Sequence, residues 1–144
     1  MRKNLKKKLM TLILLLGSSM IMNAKIINND WSDVIKAISY VESRCNPKAV
    51  SSCGRWVGYL QISKGLVTGC NRILGYKKYT FNDRYDKDKS IEMFYIFQNK
   101  YNPTGDIELG IRMWNGGPGY SKKKTNAYYN KVMKKYKEII KEDK

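Results

Sequence analysis

Trp31, Val34, Ile35, Ile38 and Val41 recur at the i, i+3, i+4 and i+7 spacing of one helical face, and Glu42 extends that face. The pattern predicts a helix from about Trp31 to Arg44, capped by Asn29 or Asp30. It stops before Asn46-Pro47, because a proline disfavours helix in the residue before it. From Ser51 to Ile62 the period changes: Gly54 and Gly58 punctuate an extended stretch that reads as a short hairpin or an irregular loop. A second helix should run to about Leu74 and end at Gly75. A third should begin near Asp86 or Asp88 and carry Ile91, Phe94, Tyr95 and Phe97. A fourth, from Thr104 or Asp106, reaches Trp114, where Asn115-Gly116-Gly117-Pro118-Gly119 must break it. A fifth, from about Thr125, presents Tyr129, Val132, Met133, Tyr136 and Ile140 on one face. These elements predict an α+β, predominantly α-helical domain in which the glycine-punctuated segment forms a small wall beside the first helix.

The first 24 residues fall outside this pattern. Arg2, Lys3, Lys6, Lys7 and Lys8 precede an apolar run from Leu9 to Met22 and a small-residue exit at Ala24, the three parts of a secretory signal. The run is interrupted by Gly17, Ser18 and Ser19, which favours a cleaved signal over an uncleaved membrane anchor. Residues 1–24 are thus expected to direct export, to a periplasm or the cell exterior. Residues 25–144 form one domain of about 120 residues with no Pro/Gly/Ser-rich linker and no repeat, read as a monomer. The formal charge of +16 drops by the five basic residues of the signal to +11, which points to a polyanionic partner. The basic residues form no recognisable nucleic-acid reader, so an anionic wall polymer or envelope surface fits better. Lys122-Lys123-Lys124 and the Lys-rich last helix also suit a merely solvated face.

Cys45, Cys53 and Cys70 make an odd count, which in an oxidising compartment suggests one disulfide and one thiol. Three pairings are open, and Cys45 with Cys53, stapling the loop after the first helix, is favoured. No zinc pattern is matched, and neither a metal nor a cofactor is expected. The chain has no histidine, which excludes Ser-His-Asp and Cys-His nucleophilic sites and His-ligated zinc hydrolases. Carboxylate chemistry remains. Glu42, at the C-terminal end of an apolar stripe, is placed for desolvation and the helix dipole to raise its pKa into the range of a general acid. The alternative is a helix-end Glu whose head turns to water.

Four pieces then line up in order: Glu42-Ser43, Gly58-Tyr59-Leu60-Gln61, Trp114-Asn115-Gly116-Gly117, and Tyr128 four residues before Val132. Together with the loop Asn46-Pro47-Lys48-Ala49-Val50-Ser51, this arrangement resembles the SLT-type lytic transglycosylases across about residues 31 to 136. The resemblance implies a lysozyme-like fold and peptidoglycan glycan strands as the partner. It also implies that Glu42 is the sole catalytic acid/base, that Ser51 and Gln61 hold the sugar and its N-acetyl group, and that Asn115 and Tyr128 line the cleft, with Tyr128 hydrogen-bonded to Glu42. Ser43 would anchor the helix end. Tyr59 and Leu60 stand where the family has Leu-Met, Trp114 where Tyr is common, and Gly116 where Ala is usual; the loop before Gly58 is one residue longer than the family's. Trp56, Tyr59 and Trp114 are candidate sugar-stacking platforms, with a core role the alternative for Trp114.

The chemistry so implied needs one carboxylate, which protonates the glycosidic oxygen and then takes a proton from the sugar's C6 hydroxyl, leaving a 1,6-anhydromuramic end. Three other readings stay open: a lysozyme-type muramidase using Asp83 as second acid, a non-catalytic peptidoglycan-binding module, and a basic membrane-anchored interaction protein.

Overall fold

The computed structural model of the chain describes residues 30–142. The expected signal segment and the candidate cap Asn29 lie outside the described residues. Five α-helices follow in order: α1 Ser32–Ser43, α2 Lys64–Leu74, α3 Lys87–Tyr101, α4 Ile107–Gly116 and α5 Lys122–Glu142. Between α1 and α2 stand strands β1 Trp56–Val57 and β2 Ile62–Ser63, and a 3-10 turn covers Phe81–Tyr85. The strands pair antiparallel, Trp56 opposite Ser63 and Val57 opposite Ile62, so the glycine-punctuated segment is a small hairpin.

The helix ends follow from local chemistry. Asp86 accepts the Lys89 N–H at 3.0 Å and Asp106 the Leu109 N–H at 2.7 Å, each satisfying an orphan donor of a first turn. Gly75 closes α2 in the left-handed conformation at φ 78°. Asp30 accepts from the Ser32 N–H at 2.9 Å beside the start of α1.

Two boundaries differ from the sequence expectation. Helix α4 continues two residues past Trp114 and ends at Gly116, because Gly116 packs under α5. A Cβ there would meet Tyr120 Cβ at 2.7 Å and Thr125 Cγ2 at 2.9 Å, so a glycine lets the helix run on where a larger residue could not fit. Helix α5 begins at Lys122 rather than Thr125. Its first turn has no apolar signature and is held by a tertiary contact: buried Arg112 of α4 donates to the Lys122 carbonyl and to Thr125 Oγ1, each at 3.2 Å.

The core sits where α1, α3, α4, α5 and the hairpin converge, with Ile38, Leu60, Phe94, Ile111 and Val132 fully buried. Trp31 meets Phe94 edge-on at 5.5 Å. Buried Gln98 donates to the Gly110 carbonyl at 3.2 Å and accepts from Asn102 at 3.1 Å, tying the end of α3 to α4 without an unpaired polar group.

Candidate active site

Helix α1 delivers Glu42 to the mouth of a groove and then ends abruptly. Arg44 and Cys45 turn through the left-handed region at φ 55° and 61°, and their N–H groups fold back onto the carbonyls of Tyr40 and Ser39. Two successive non-glycine residues in that region carry strain of order 1 kcal/mol or more each, which the surrounding packing must hold. Ser43 supplies part of that hold. Its hydroxyl donates to the Tyr59 carbonyl at 2.8 Å and to the Ser39 carbonyl at 3.2 Å, and accepts the Asn46 N–H at 3.1 Å, so the helix end, the following loop and the hairpin share one oxygen.

The hairpin forms the opposite wall. Gly58 sits at φ 84° with the Arg84 carbonyl oxygen where a Cβ would stand, only 1.8 Å away. Buried Arg84 donates to the carbonyls of Phe81, Arg55 and Ile62, stitching the 3-10 turn to both sides of the hairpin. Gln61, at φ 50°, donates through Nε2 to the Gly58 carbonyl at 3.0 Å and to Ala49 at 3.4 Å. Its amide nitrogen is thus spent on backbone, and its Oε1 is what it can offer a ligand. Ser51 Oγ accepts the Trp56 N–H at 3.1 Å.

The groove between these walls encloses about 550 Å³. Glu42, Ser51, Trp56, Gln61, Trp114 and Asn115 line it, so six residues singled out in the sequence come together there. Tyr128 stands behind Glu42: its hydroxyl donates to Glu42 Oε1 at 2.7 Å from α5. Burial pushes the Glu42 carboxyl up to about 7, and the Tyr128 hydrogen bond pulls it part of the way back. Burial and the facing carboxylate push the Tyr128 phenol well above its ordinary value, so it stays a donor.

Tyr59 is not in the groove. It lies one residue past Gly58, is buried in the core, and has Lys87 Nζ 5.2 Å from its ring centre, so it packs the back of the hairpin. Trp114 lines the groove, and its ring packs on Phe94 at 4.9 Å and Phe97 at 5.8 Å. The Cys45–Cys53 bridge is not formed, and all three cysteines are free thiols. The left-handed turn points Cys45 Sγ back at Ser39 Oγ, 3.4 Å away, while Cys53 Sγ lies 3.6 Å from Ser51 Oγ. Cys70 is buried, which pushes its thiol up to about 11.

Asp83 is outside the groove. Its carboxylate caps the 3-10 turn through Thr80 and pairs with Lys89 at 2.6 Å, contacts that hold its pKa below the ordinary value. Glu42 is therefore the only carboxylate lining the groove among the described residues. No group of three or more His, Cys, Asp or Glu among them could hold a metal ion.

Ser63, Leu66, Phe97 and Met113 also line the groove and carried no distinguishing sequence signal. An apolar residue that floors a groove has the same helical spacing as one that fills a core. Ser63 reads as the N-cap of α2, which it also is, accepting the Leu66 N–H at 3.1 Å.

Residues 19–137 match the family model described as the transglycosylase SLT domain. No curated protein and no solved structure matches the chain.

Proposed function

The chain belongs to the transglycosylase SLT domain family, and on that premise we propose that it is an exported lytic transglycosylase that cleaves peptidoglycan without water. The bond broken is the β-1,4 link between N-acetylmuramic acid and N-acetylglucosamine, and the product carries a 1,6-anhydromuramic end. The observation that carries this reading is the solitude of Glu42: one carboxylate in the groove among the described residues, its pKa lifted to about 7, and a phenol donor on its Oε1.

In its protonated form Glu42 gives its proton to the glycosidic oxygen as the bond to the anomeric carbon breaks, and the substrate's own N-acetyl oxygen covers that carbon. The carboxylate left behind then takes the proton of the C6 hydroxyl, whose oxygen closes onto the anomeric carbon and displaces the N-acetyl group. Glu42 ends protonated, as it began. A pKa near the working pH suits a group that must act as acid and then as base in one turnover. Tyr128 assists by binding the carboxylate form and fixing which oxygen faces the sugar. A second protein carboxylate, which hydrolysis with two acids would need, has no place in this cycle, and Asp83 is occupied elsewhere.

The test is mass spectrometry of the soluble products from purified peptidoglycan. Anhydro ends are expected; reducing ends would replace the lyase with a hydrolase. Glu42→Gln should lower turnover by ~10²–10⁴ or more, and full activity in that variant would remove Glu42 from the mechanism.

A further inference from the structure

Helix α2 separates two concavities. Leu66 faces the groove described above. Thr68, Asn71, Arg72 and Gly75 lie roughly half a turn around the helix from it, at about 100° per residue, and line a second hollow of about 680 Å³. Tyr76, Lys77, Tyr79, Thr80 and Phe81 complete it, and among the described residues no acidic side chain lines it. Tyr76 is 61% exposed and Phe81 46%, two solvent-exposed rings at one site, with Lys64 Nζ 5.3 Å from the centre of the Phe81 ring on one of its faces. The side chains of Arg72 and Lys77 are exposed and make no ion pair or hydrogen bond among the described residues, whereas neighbouring Lys78 is already paired with Glu92 at 2.8 Å.

The hollow is built rather than incidental. Asn71 uses its whole side chain to clamp the loop that carries Tyr76 and Lys77: Oδ1 accepts the N–H groups of Lys78 and Tyr79 at 3.0 and 2.9 Å, and Nδ2 donates to the Tyr79 carbonyl at 2.8 Å. Buried Tyr79 anchors the same loop in the core. Two aromatic faces and two unpaired cations are thus presented on ordered backbone, which reduces the ordering cost of binding.

We propose that this hollow is a second, non-catalytic site for peptidoglycan, in which pyranose faces stack on Tyr76 and Phe81 and stem-peptide carboxylates pair with Arg72 and Lys77. The proposal rests on the reading of the chain as a peptidoglycan enzyme. Stacking suits the apolar faces of sugars, and the cations suit a polymer that carries a carboxylate at regular intervals. Set on the far side of α2 from Glu42, the site would hold the enzyme on insoluble wall while the groove works on a strand.

The test uses the full chain with Glu42→Gln, so that binding is read without turnover, and compares it with the same protein carrying Arg72→Ala and Tyr76→Ala. Both added positions are exposed, and neither side chain supports the core. Retention on insoluble peptidoglycan purified free of attached polymers is measured by sedimentation. The expected result is an affinity about tenfold weaker, with unchanged turnover of short soluble glycans when the two substitutions are placed on active Glu42. Unchanged retention would overturn the proposal. So would loss of short-glycan turnover, which would make these residues part of the catalytic groove, and so would retention that appears only in a parallel assay on wall that keeps its phosphate-bearing polymers. Should the active chain release nothing from peptidoglycan, the proposed cleavage fails, and the retention measurement still decides the second site.

Discussion

The Tyr128 hydroxyl donates to Glu42 Oε1 across 2.7 Å, joining the end of α1 to α5 over 86 residues of sequence. This bond opposes the burial that raises the Glu42 pKa, because it stabilises the carboxylate. Tyr128→Phe should therefore move the alkaline limb of the pH–rate profile to higher pH, since Glu42 stays protonated further up the scale. Loss of alignment should lower the optimum rate by roughly tenfold. Release of soluble glycan followed from pH 5 to 9 reads both; a limb that stays in place would dissociate Tyr128 from the proton.

Glu42 also makes stability pH-dependent in an unusual direction. Its carboxyl has an ordinary value of 4.5 and rises to about 7 in the fold. Between these values the folded chain holds a proton that the unfolded chain has lost, so stability falls as pH rises through that window. The loss should approach about 3 kcal/mol, at 1.36 kcal/mol per unit. Glu42→Gln keeps an oxygen acceptor for Tyr128 and has no charge to bury. Urea midpoints should show the variant more stable than the parent at pH 8, with the margin closing near pH 4.5.

The two groove tryptophans should separate by readout. Trp56 is 44% exposed at the groove edge, so Trp56→Ala should raise KM several-fold while leaving Tm within about 2 °C. Trp114 packs on Phe94 and Phe97, so Trp114→Ala should lower stability by about 3 kcal/mol as well as weakening turnover. Steady-state kinetics and thermal melts on the two variants check the split.

Gly58→Ala should not fold. Its Cβ would lie 1.8 Å from the Arg84 carbonyl oxygen at φ 84°, and relief requires the 3-10 turn to move, at a cost above roughly 3 kcal/mol. Gly54→Ala is the control: its φ of 70° is similar, but nothing lies within 4 Å of the new atom. That change should cost about 1 kcal/mol. Soluble yield and melting temperature distinguish the two.

Most helix ends were legible because they are local. Asp86, Asp106 and Gly75 act through the next few residues, and their chemistry is visible in a short window. The start of α5 was not, since Lys122 joins the helix through a bond from Arg112, ten residues earlier. The floor of the groove, Phe97 and Met113, was hidden for a related reason: facing a cavity and facing a core demand the same spacing. The burial of Tyr59 was hidden because an aromatic next to a turn glycine gives no sign of the side on which the hairpin will bury it. The odd cysteine count suggested a bridge, yet pairing depends on where the left-handed turn at Arg44 and Cys45 aims a sulfur.

Arg84 grips the hairpin from two directions: its guanidinium holds the Arg55 and Ile62 carbonyls, and its own carbonyl presses against Gly58. Two paired residues per strand are too few to persist alone in water. The lifetime of the groove wall is thus set by a residue outside it, and wall and 3-10 turn must open together. Slow amide exchange at Val57 and Ile62 should then track that at Ser90, whose hydroxyl donates to the Arg84 carbonyl, making three distant stretches of chain one cooperative unit.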